Sequence, residues 1–193
     1  MMLPTERFPR LEITRPSDLR EWLQANHSQV EAVWLVTWMR SVPEHYVDRW
    51  EVLDELLCFG WIAGTRRKLD GTRTMQLIAP RRQLAWSASY KLRVERLEAE
   101  GLMCEPGRLA VARAKEQGLW DACTAVDALI VPEDLRRSLR NHPPADVRFE
   151  GFAPSYCRNV LRWLASAKRT ETRAKRIAEL TSLSAANQKR PQM

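Results

Sequence analysis

The sequence predicts an α+β fold that is mainly helical, with a small three-stranded, mostly antiparallel sheet. An apolar run rich in β-forming residues predicts one strand at 32–39, and two strand-like runs joined by an Asp-Gly pair predict strands at 61–69 and 72–79. Most of the remaining chain shows apolar residues at helical spacing between capping residues, a pattern typical of amphipathic helices. Because an isolated hairpin is only marginally stable in water, we expect the sheet to pack against these helices.

The elements before the hairpin follow from proline, capping and apolar patterns. Residues 1–16 are punctuated by prolines and are predicted to form an extended N-terminal arm. Ser17 predicts the start of a first helix. The run 32–39 is apolar almost throughout, which predicts a strand buried on both faces. A second helix is predicted at about 47–59.

A β-hairpin is predicted directly after the second helix. Gly60 follows the last apolar residue of that helix and is predicted to end it in the left-handed conformation. Asp70 and Gly71 then separate the runs 61–69 and 72–79. An Asp-Gly pair between two strands predicts a type I′ turn, because that turn needs a positive φ at both central positions.

The chain after Ser87 is predicted to be helical. Ser87 is a candidate N-cap for a helix that ends near Glu100. Further helices are predicted at about 107–117, with Pro132 as a first helical residue, at about 155–168, and after Thr170 as an N-cap. The final residues, 187–193, lack an apolar stripe and are predicted to form a frayed tail.

Length and composition favour one soluble domain with an anionic partner. The 193 residues fit a single α+β domain, which we place at 17–186 between the arm and the tail. The formal net charge of +7 favours nucleic acid or another anion as the partner. No apolar stretch suits a secretory signal or a transmembrane helix, so we expect a cytoplasmic protein without membrane insertion. The cysteines and histidines lack the spacing of metal ligands, so we assign no metal and no cofactor.

Aromatic, cationic and hydroxyl side chains between Trp61 and Ser87 predict a binding surface. Antiparallel return of the hairpin brings Trp61 and Trp86 to neighbouring strand ends, where their rings would flank one pocket. Arginines beside these rings indicate an anionic ligand, because a guanidinium binds phosphate or carboxylate through a planar fork. Core packing of the tryptophans, a solvated arginine face and a simple N-cap role for Ser87 are the alternatives. The predicted ligand-binding residues are Trp61, Arg66, Arg81, Arg82, Trp86 and Ser87, with no catalytic residue assigned.

A family resemblance rests on four segments. They are LCFGWIAG (57–64), PRRQLAWS (80–87), RVERLEAEGLM (93–103) and TETRAKRI (170–177). With these segments the chain resembles the YdeI/OmpD-associated family, also called OmdA or bacteriocin-protection, from about Trp22 to Asn187. The resemblance implies a role in tolerance of bacteriocins or envelope stress, without an established reaction.

Two of the departures from the pattern of that family bear on ligand binding. Ala63 stands where the family usually has an aspartate, and Tyr90 stands where an asparagine is expected. If the aspartate and the asparagine hold a ligand in the family, this chain binds an altered ligand or none.

Three functions fit these observations. The first is a cytoplasmic, non-enzymatic binding or stress-tolerance protein, linked to bacteriocin protection, whose partner is a small anionic ligand or a protein. The second is a nucleic-acid-binding module that uses the basic hairpin and the C-terminal helix, which begins with the cationic stretch 168–176. The third is a degenerate enzyme acting on a small anionic substrate, and the alanine at position 63 argues against it.

Overall fold

The chain folds into α-helices and one small sheet, which confirms the predicted α+β class. The computed structural model describes residues 8–82 and 84–191, so the first seven residues of the predicted arm and the last two of the predicted tail lie outside the described residues. The chain divides into two compact units, Met1–Asp121 and Ala122–Met193. The single domain over 17–186 stays a prediction. No helix in the described part of the chain is both long and apolar enough to cross a membrane.

The first unit holds the sheet and four of the described helices. Its elements are β1 (Arg10–Glu12), α1 (Pro16–Asn26), β2 (Val33–Trp38), α2 (Arg49–Cys58), β3 (Trp61–Lys68), β4 (Arg73–Pro80), α3 (Ala88–Ala99) and α4 (Glu105–Glu116). The predicted strands at 32–39, 61–69 and 72–79 are all present, each within one residue of its predicted ends.

The sheet has four strands in the described residues, so the prediction of three strands was wrong by one. The strand order is β1-β2-β4-β3. β2 pairs antiparallel with β4, which places Val33 opposite Ile78, and β3 pairs antiparallel with β4. The additional strand, β1, pairs in parallel with β2 and places Leu11 opposite Leu35. Three residues are too few to show an alternating pattern, so only the pairing with β2 reveals this strand.

The predicted hairpin is present, but its turn is not type I′. Neither Asp70 nor Gly71 has a positive φ. Instead, the Asp70 carboxylate accepts hydrogen bonds from the backbone N–H groups of Thr72 (2.9 Å) and Arg73 (2.8 Å). The Arg73 guanidinium also donates to this carboxylate (2.8 Å). The backbone N–H of Thr72, and then the Arg73 side chain, lower the pKa of Asp70 to about 2. The side chain closes this four-residue connection, a role that aspartate commonly has in turns.

The core of the first unit lies where α1, α2 and α3 meet one face of the sheet. Leu23, Leu35, Leu56 and Ile78 are fully buried there. β2 is buried on both faces along five of its six residues, as predicted. Gly60 has a φ of +71°, which confirms the predicted left-handed residue after α2.

The second unit is helical throughout its described elements. They are α5 (Thr124–Asp127), α6 (Glu133–Arg140), α7 (Ala145–Glu150), α8 (Pro154–Ala165) and α9 (Thr170–Ala185). The short helices α5 and α7 were not predicted, because four or six residues do not establish a helical period. Leu135, Val160, Leu164 and Leu180 form the centre of this unit's core.

Two helix starts in the second unit differ by one residue from their predicted positions. Pro132 is the N-cap of α6 and not its first residue. Thr170 is the first residue of α9, because Arg169 has an extended backbone and acts as the N-cap. Beyond α9, Arg190 donates from its backbone N to the Tyr156 hydroxyl (2.9 Å), which gives the predicted tail a contact with α8.

Candidate functional site

A cavity of about 210 Å³ lies in the first unit, between the β4–α3 connection and the end of α4. We call it the arginine cavity. The residues that line it are Arg81, Arg82, Trp86, Ala110, Arg113, Ala114, Gln117 and Leu119. Three of these residues are arginines, and none of the described lining residues is acidic. The wall of this cavity is therefore strongly cationic.

Arg81 forms the inner end of the wall and is only 9% exposed. Its backbone N donates to the carbonyl of Gly60 (2.8 Å), which fixes the chain where β4 ends. Its guanidinium donates to the carbonyl of Ala85 (2.7 Å), so the Arg81 side chain bonds to the backbone of the same connection. The guanidinium carbon also lies 4.0 Å from the centroid of the Trp86 ring. This distance is that of a close cation–π contact.

Trp86 is buried and held from two sides. Its backbone N donates to the carbonyl of Leu119 (3.0 Å), which ties the β4–α3 connection to the residues after α4. The Trp120 ring packs beside it, with centroids 5.2 Å apart. Trp86 thus contacts Arg81 through its ring and Leu119, after α4, through its backbone, and all three line the same cavity.

α4 contributes the polar groups that complete the wall. Arg113 and Gln117 are one helical turn apart and are both exposed. The Arg113 side chain forms no hydrogen bond or ion pair with any other described residue. Arg82 is also exposed, and its guanidinium has one long hydrogen bond of 3.4 Å to the carbonyl of Val30. These side chains keep donors available for an oxyanion, which arginine binds through two parallel N–H groups.

The structure brings three of the predicted ligand-binding residues together and separates the other three. Arg81, Arg82 and Trp86 line one cavity. The Trp61 side chain is fully buried in the core, where its Nε1 donates to the carbonyl of His27 (3.1 Å). Ser87 is the N-cap residue of α3, but its hydroxyl bonds to the Ser89 hydroxyl (3.1 Å) and does not line the cavity.

Arg66 lies at another cavity, where its Nε donates to the Thr74 hydroxyl (3.2 Å). Arg66 lies opposite Gln76 of β4 in the hairpin, and Gln76 precedes Arg81 by five residues along the chain. At about 3.3 Å per residue, this spacing places the two arginines too far apart to hold one small ligand. A role in binding stays a prediction for all six residues.

Sequence reasoning missed Arg113 and Gln117. They follow Trp86 by more than 25 positions, Arg113 within an ordinary amphipathic helix and Gln117 at its C-cap. Their i, i+4 spacing marks them as neighbours on one helix face. The packing of α4, which no local pattern reveals, makes them part of the cavity.

The described residues contain no ready-made cluster of metal ligands, and the Cys58 thiol is deeply buried. No group of three or more His, Cys, Asp or Glu residues within 8–82 and 84–191 is placed to hold a metal ion. Burial raises the pKa of the Cys58 thiol to about 12. This thiol is therefore protonated at neutral pH and is a poor nucleophile.

Comparison with known families divides the chain in two. Residues 11–110 match the family model "Domain of unknown function (DUF8412)". Residues 128–187 match the OmdA model, described as "Bacteriocin-protection, YdeI or OmpD-Associated". No curated protein matches the chain, and no solved structure matches it.

The OmdA resemblance is therefore confirmed, over a shorter range than Trp22 to Asn187. Ala63 and Tyr90, which depart from the OmdA pattern, lie in the part that matches the other family model. The difference at these two positions therefore gives no argument about the ligand of OmdA proteins.

Proposed function

Because the chain belongs to the DUF8412 family over residues 11–110 and carries an OmdA region at 128–187, we propose that it is a small-oxyanion-binding protein linked to bacteriocin protection. The proposed site is the arginine cavity. The observation that carries this proposal is its wall of three arginines without an acidic residue among the described lining residues. Such a wall attracts an anion and disfavours a cation.

The size of the arginine cavity selects a small ligand. Its volume of about 210 Å³ is below the roughly 300–1,000 Å³ that is typical of sites for drug-sized molecules. Phosphate, or a phosphate group on a short carrier, suits this volume and the fork geometry of arginine. Arg82 and Arg113 would donate to the oxyanion, while Arg81, stacked on Trp86, supplies positive charge from the inner wall.

The link to bacteriocin protection rests on the description of the OmdA family. A cytoplasmic location is likewise our proposal. The cysteines Cys58, Cys104, Cys123 and Cys157 are all free thiols. Free thiols support a reducing compartment.

Replacing Arg113 with methionine should weaken phosphate binding by at least about tenfold, because one charge-assisted hydrogen-bond donor is lost. Isothermal titration of inorganic phosphate into the wild type and into Arg113→Met measures this change. The Arg113 side chain has no partner among the described residues, and methionine keeps the backbone bond to Gln117, so the variant should keep the stability of the wild type.

Arg137→Met is the matched control for this titration. Arg137 is an exposed arginine of α6, outside the arginine cavity, and its replacement removes the same charge. We expect an affinity within about twofold of the wild type, because Arg137 does not line the cavity and salt screens the charge of an exposed arginine. Equal weakening in both variants, or no binding of phosphate by the wild type, would contradict the proposal.

A second candidate function, binding of nucleic acid, is favoured by the charge of the second unit. Thirteen of the 31 Lys and Arg residues and seven of the 24 Asp and Glu residues lie in Ala122–Met193, so this unit carries +6 of the total +7. Five exposed cations there have side chains that form no hydrogen bond or ion pair with described residues. They are Arg137, Arg140, Lys168, Arg169 and Lys175.

The predicted basic surfaces are smaller than their sequences indicate. In the stretch 168–176, Arg173 pairs with Asp134 (2.5 Å) and the Arg176 guanidinium lies over the Trp163 ring (4.6 Å). In the hairpin, Arg73 pairs with Glu12 (2.7 Å). These arginines stabilise the fold through their partners, so the second unit's five exposed cations are the better support for this candidate.

Salt dependence separates the two candidate functions. If five cations contact a single strand, the logarithm of the affinity should fall against the logarithm of salt concentration with a slope of about −3.5. Fluorescence anisotropy of a labelled oligonucleotide measures this slope. A slope near zero would exclude the nucleic-acid candidate and would leave the arginine cavity as the functional site.

A further inference from the structure

A second cavity of the first unit, about 410 Å³ in volume, carries chemistry that the proposed function does not use. We call it the Trp38 cavity. The residues that line it are Trp38, Met39, Arg40, Tyr46, Asp48, Arg49, Trp50, Arg66 and Thr74. None of them lines the arginine cavity, so the two cavities are separate sites.

Arg66 is held in this cavity by neutral groups. Its Nε donates to the Thr74 hydroxyl (3.2 Å) and its Nη2 donates to the Thr37 hydroxyl (3.2 Å). Arg66 forms no ion pair among the described residues. Two hydroxyls orient the guanidinium without neutralising it, which is suited to recognition of an anion.

Arg49 is positioned by stacking. Its guanidinium carbon lies 4.3 Å from the centroid of the Trp50 ring, and Arg93 occupies a second position at the same distance from that ring. Arg93 is fixed in turn by an ion pair with Asp54 (2.6 Å). The backbone N–H of Trp50 lowers the pKa of Asp48, and the charge of Arg49 adds to this effect. The Arg49 side chain nevertheless forms no hydrogen bond or close ion pair with a described residue, so stacking leaves its N–H donors available.

Asp48 is the one acidic residue among the described lining residues, and its carboxylate is already engaged. It caps α2 by accepting from the backbone N of Trp50 (2.8 Å), and it accepts from the Tyr46 hydroxyl (3.1 Å). Its Oδ2 lies 3.7 Å from Arg40. The lining therefore carries a formal net charge of +2, from Arg40, Arg49 and Arg66 against Asp48.

Trp38 adds a hydrogen-bond donor. Its indole Nε1 is buried and has no acceptor among the described residues. The centroid of its ring lies 5.3 Å from the centroid of the His45 ring and 5.5 Å from the guanidinium carbon of Arg73. A buried N–H without an acceptor is unfavourable, and a ligand oxygen that reached this atom after a small shift of the ring would remove the cost.

We propose that the Trp38 cavity is a second binding site, which takes a phosphomonoester of a small metabolite. A phosphomonoester dianion matches the net charge of +2, and its oxygens are acceptors for Arg49, Arg66 and the Trp38 indole. The volume of about 410 Å³ exceeds that of a bare phosphate and lies within the roughly 300–1,000 Å³ range of small-molecule sites. Because it shares no residue with the arginine cavity, this site does not depend on the proposed function.

The test uses Arg113→Met as the background, so that binding at the arginine cavity is weakened first. Glycerol 3-phosphate is titrated into this variant and into Arg113→Met/Arg66→Met by calorimetry, with glycerol as the uncharged control. We expect saturable binding of glycerol 3-phosphate, no binding of glycerol, and an affinity loss of at least about tenfold when Arg66 is also replaced.

The indole N–H resonances give a second readout. In a ¹H–¹⁵N spectrum, the signal that disappears in Trp38→Phe identifies the Trp38 indole. That signal should shift when glycerol 3-phosphate is added to the Arg113→Met background, because its N–H gains an acceptor. The proposal is overturned if the Trp38 signal does not move, if Arg66→Met leaves the affinity unchanged, or if the Arg113→Met background binds no glycerol 3-phosphate.

Discussion

Replacing Gly107 with alanine is expected to destabilise the first unit by about 3 kcal/mol, because the new methyl group would overlap the backbone of α2. A Cβ at this position would lie 2.4 Å from the carbonyl oxygen of Cys58 and 2.7 Å from that of Leu57. Both contacts are with backbone atoms, which cannot rotate away. Alanine favours a helix over glycine by only about 1 kcal/mol, so the overlap decides the sign. Urea unfolding measures the free energy.

Gly71→Ala is the matched control for this substitution. No atom lies within 4 Å of a Cβ built at Gly71, and its φ is not positive. We therefore expect a free energy of unfolding within about 0.5 kcal/mol of the wild type. If Gly107→Ala were as stable as Gly71→Ala, the close packing of α4 on α2 would be wrong. The position of Arg113 in the arginine cavity would then lose its structural basis.

Trp61→Ala is expected to cost about 3–5 kcal/mol of stability, the usual range for removing a buried tryptophan. The ring is fully buried, meets Trp22 edge to face (centroids 5.5 Å apart, planes at 88°), and donates to the carbonyl of His27. Trp50→Ala should cost less, since Trp50 is 44% exposed. Thermal or urea unfolding of both variants measures the difference.

Trp61→Phe separates a core role from a ligand-stacking role. Phenylalanine keeps a ring but loses the N–H that binds His27, so we expect a loss of about 1 kcal/mol of stability. Phosphate affinity should not change, because Trp61 does not line the arginine cavity. A stable Trp61→Phe protein with weakened phosphate binding would favour the stacking role predicted from the sequence.

Local patterns predicted most of the fold of the first unit. The apolar run of β2 and the Asp-Gly pair of the hairpin are signals carried by neighbouring residues, and both elements are present. The turn type was wrong because the Asp70 carboxylate, and not a positive φ, satisfies the backbone N–H groups of the turn. β1 was missed because its pairing with β2 joins residues more than 20 positions apart.

The candidate site was predictable only where its residues are close in sequence. Arg81, Arg82 and Trp86 lie within six positions, and one short connection carries them into the same cavity. The prediction that Trp61 lies near the end of β4 was geometrically sound, since Trp61 pairs with Pro80. Its side chain faces the helical core, however, and strand pairing alone does not decide which face is covered. The degenerate-enzyme hypothesis stays a prediction.

The most direct test of the oxyanion site is a crystal structure of the wild-type protein soaked with tungstate. Tungstate is a tetrahedral dianion like phosphate, and its anomalous scattering locates it independently of the protein model. Our account predicts an anomalous peak in the arginine cavity, within hydrogen-bonding distance of the Arg82 and Arg113 side chains. A fully soaked crystal with an open, unoccupied arginine cavity and tungstate bound only elsewhere would contradict it.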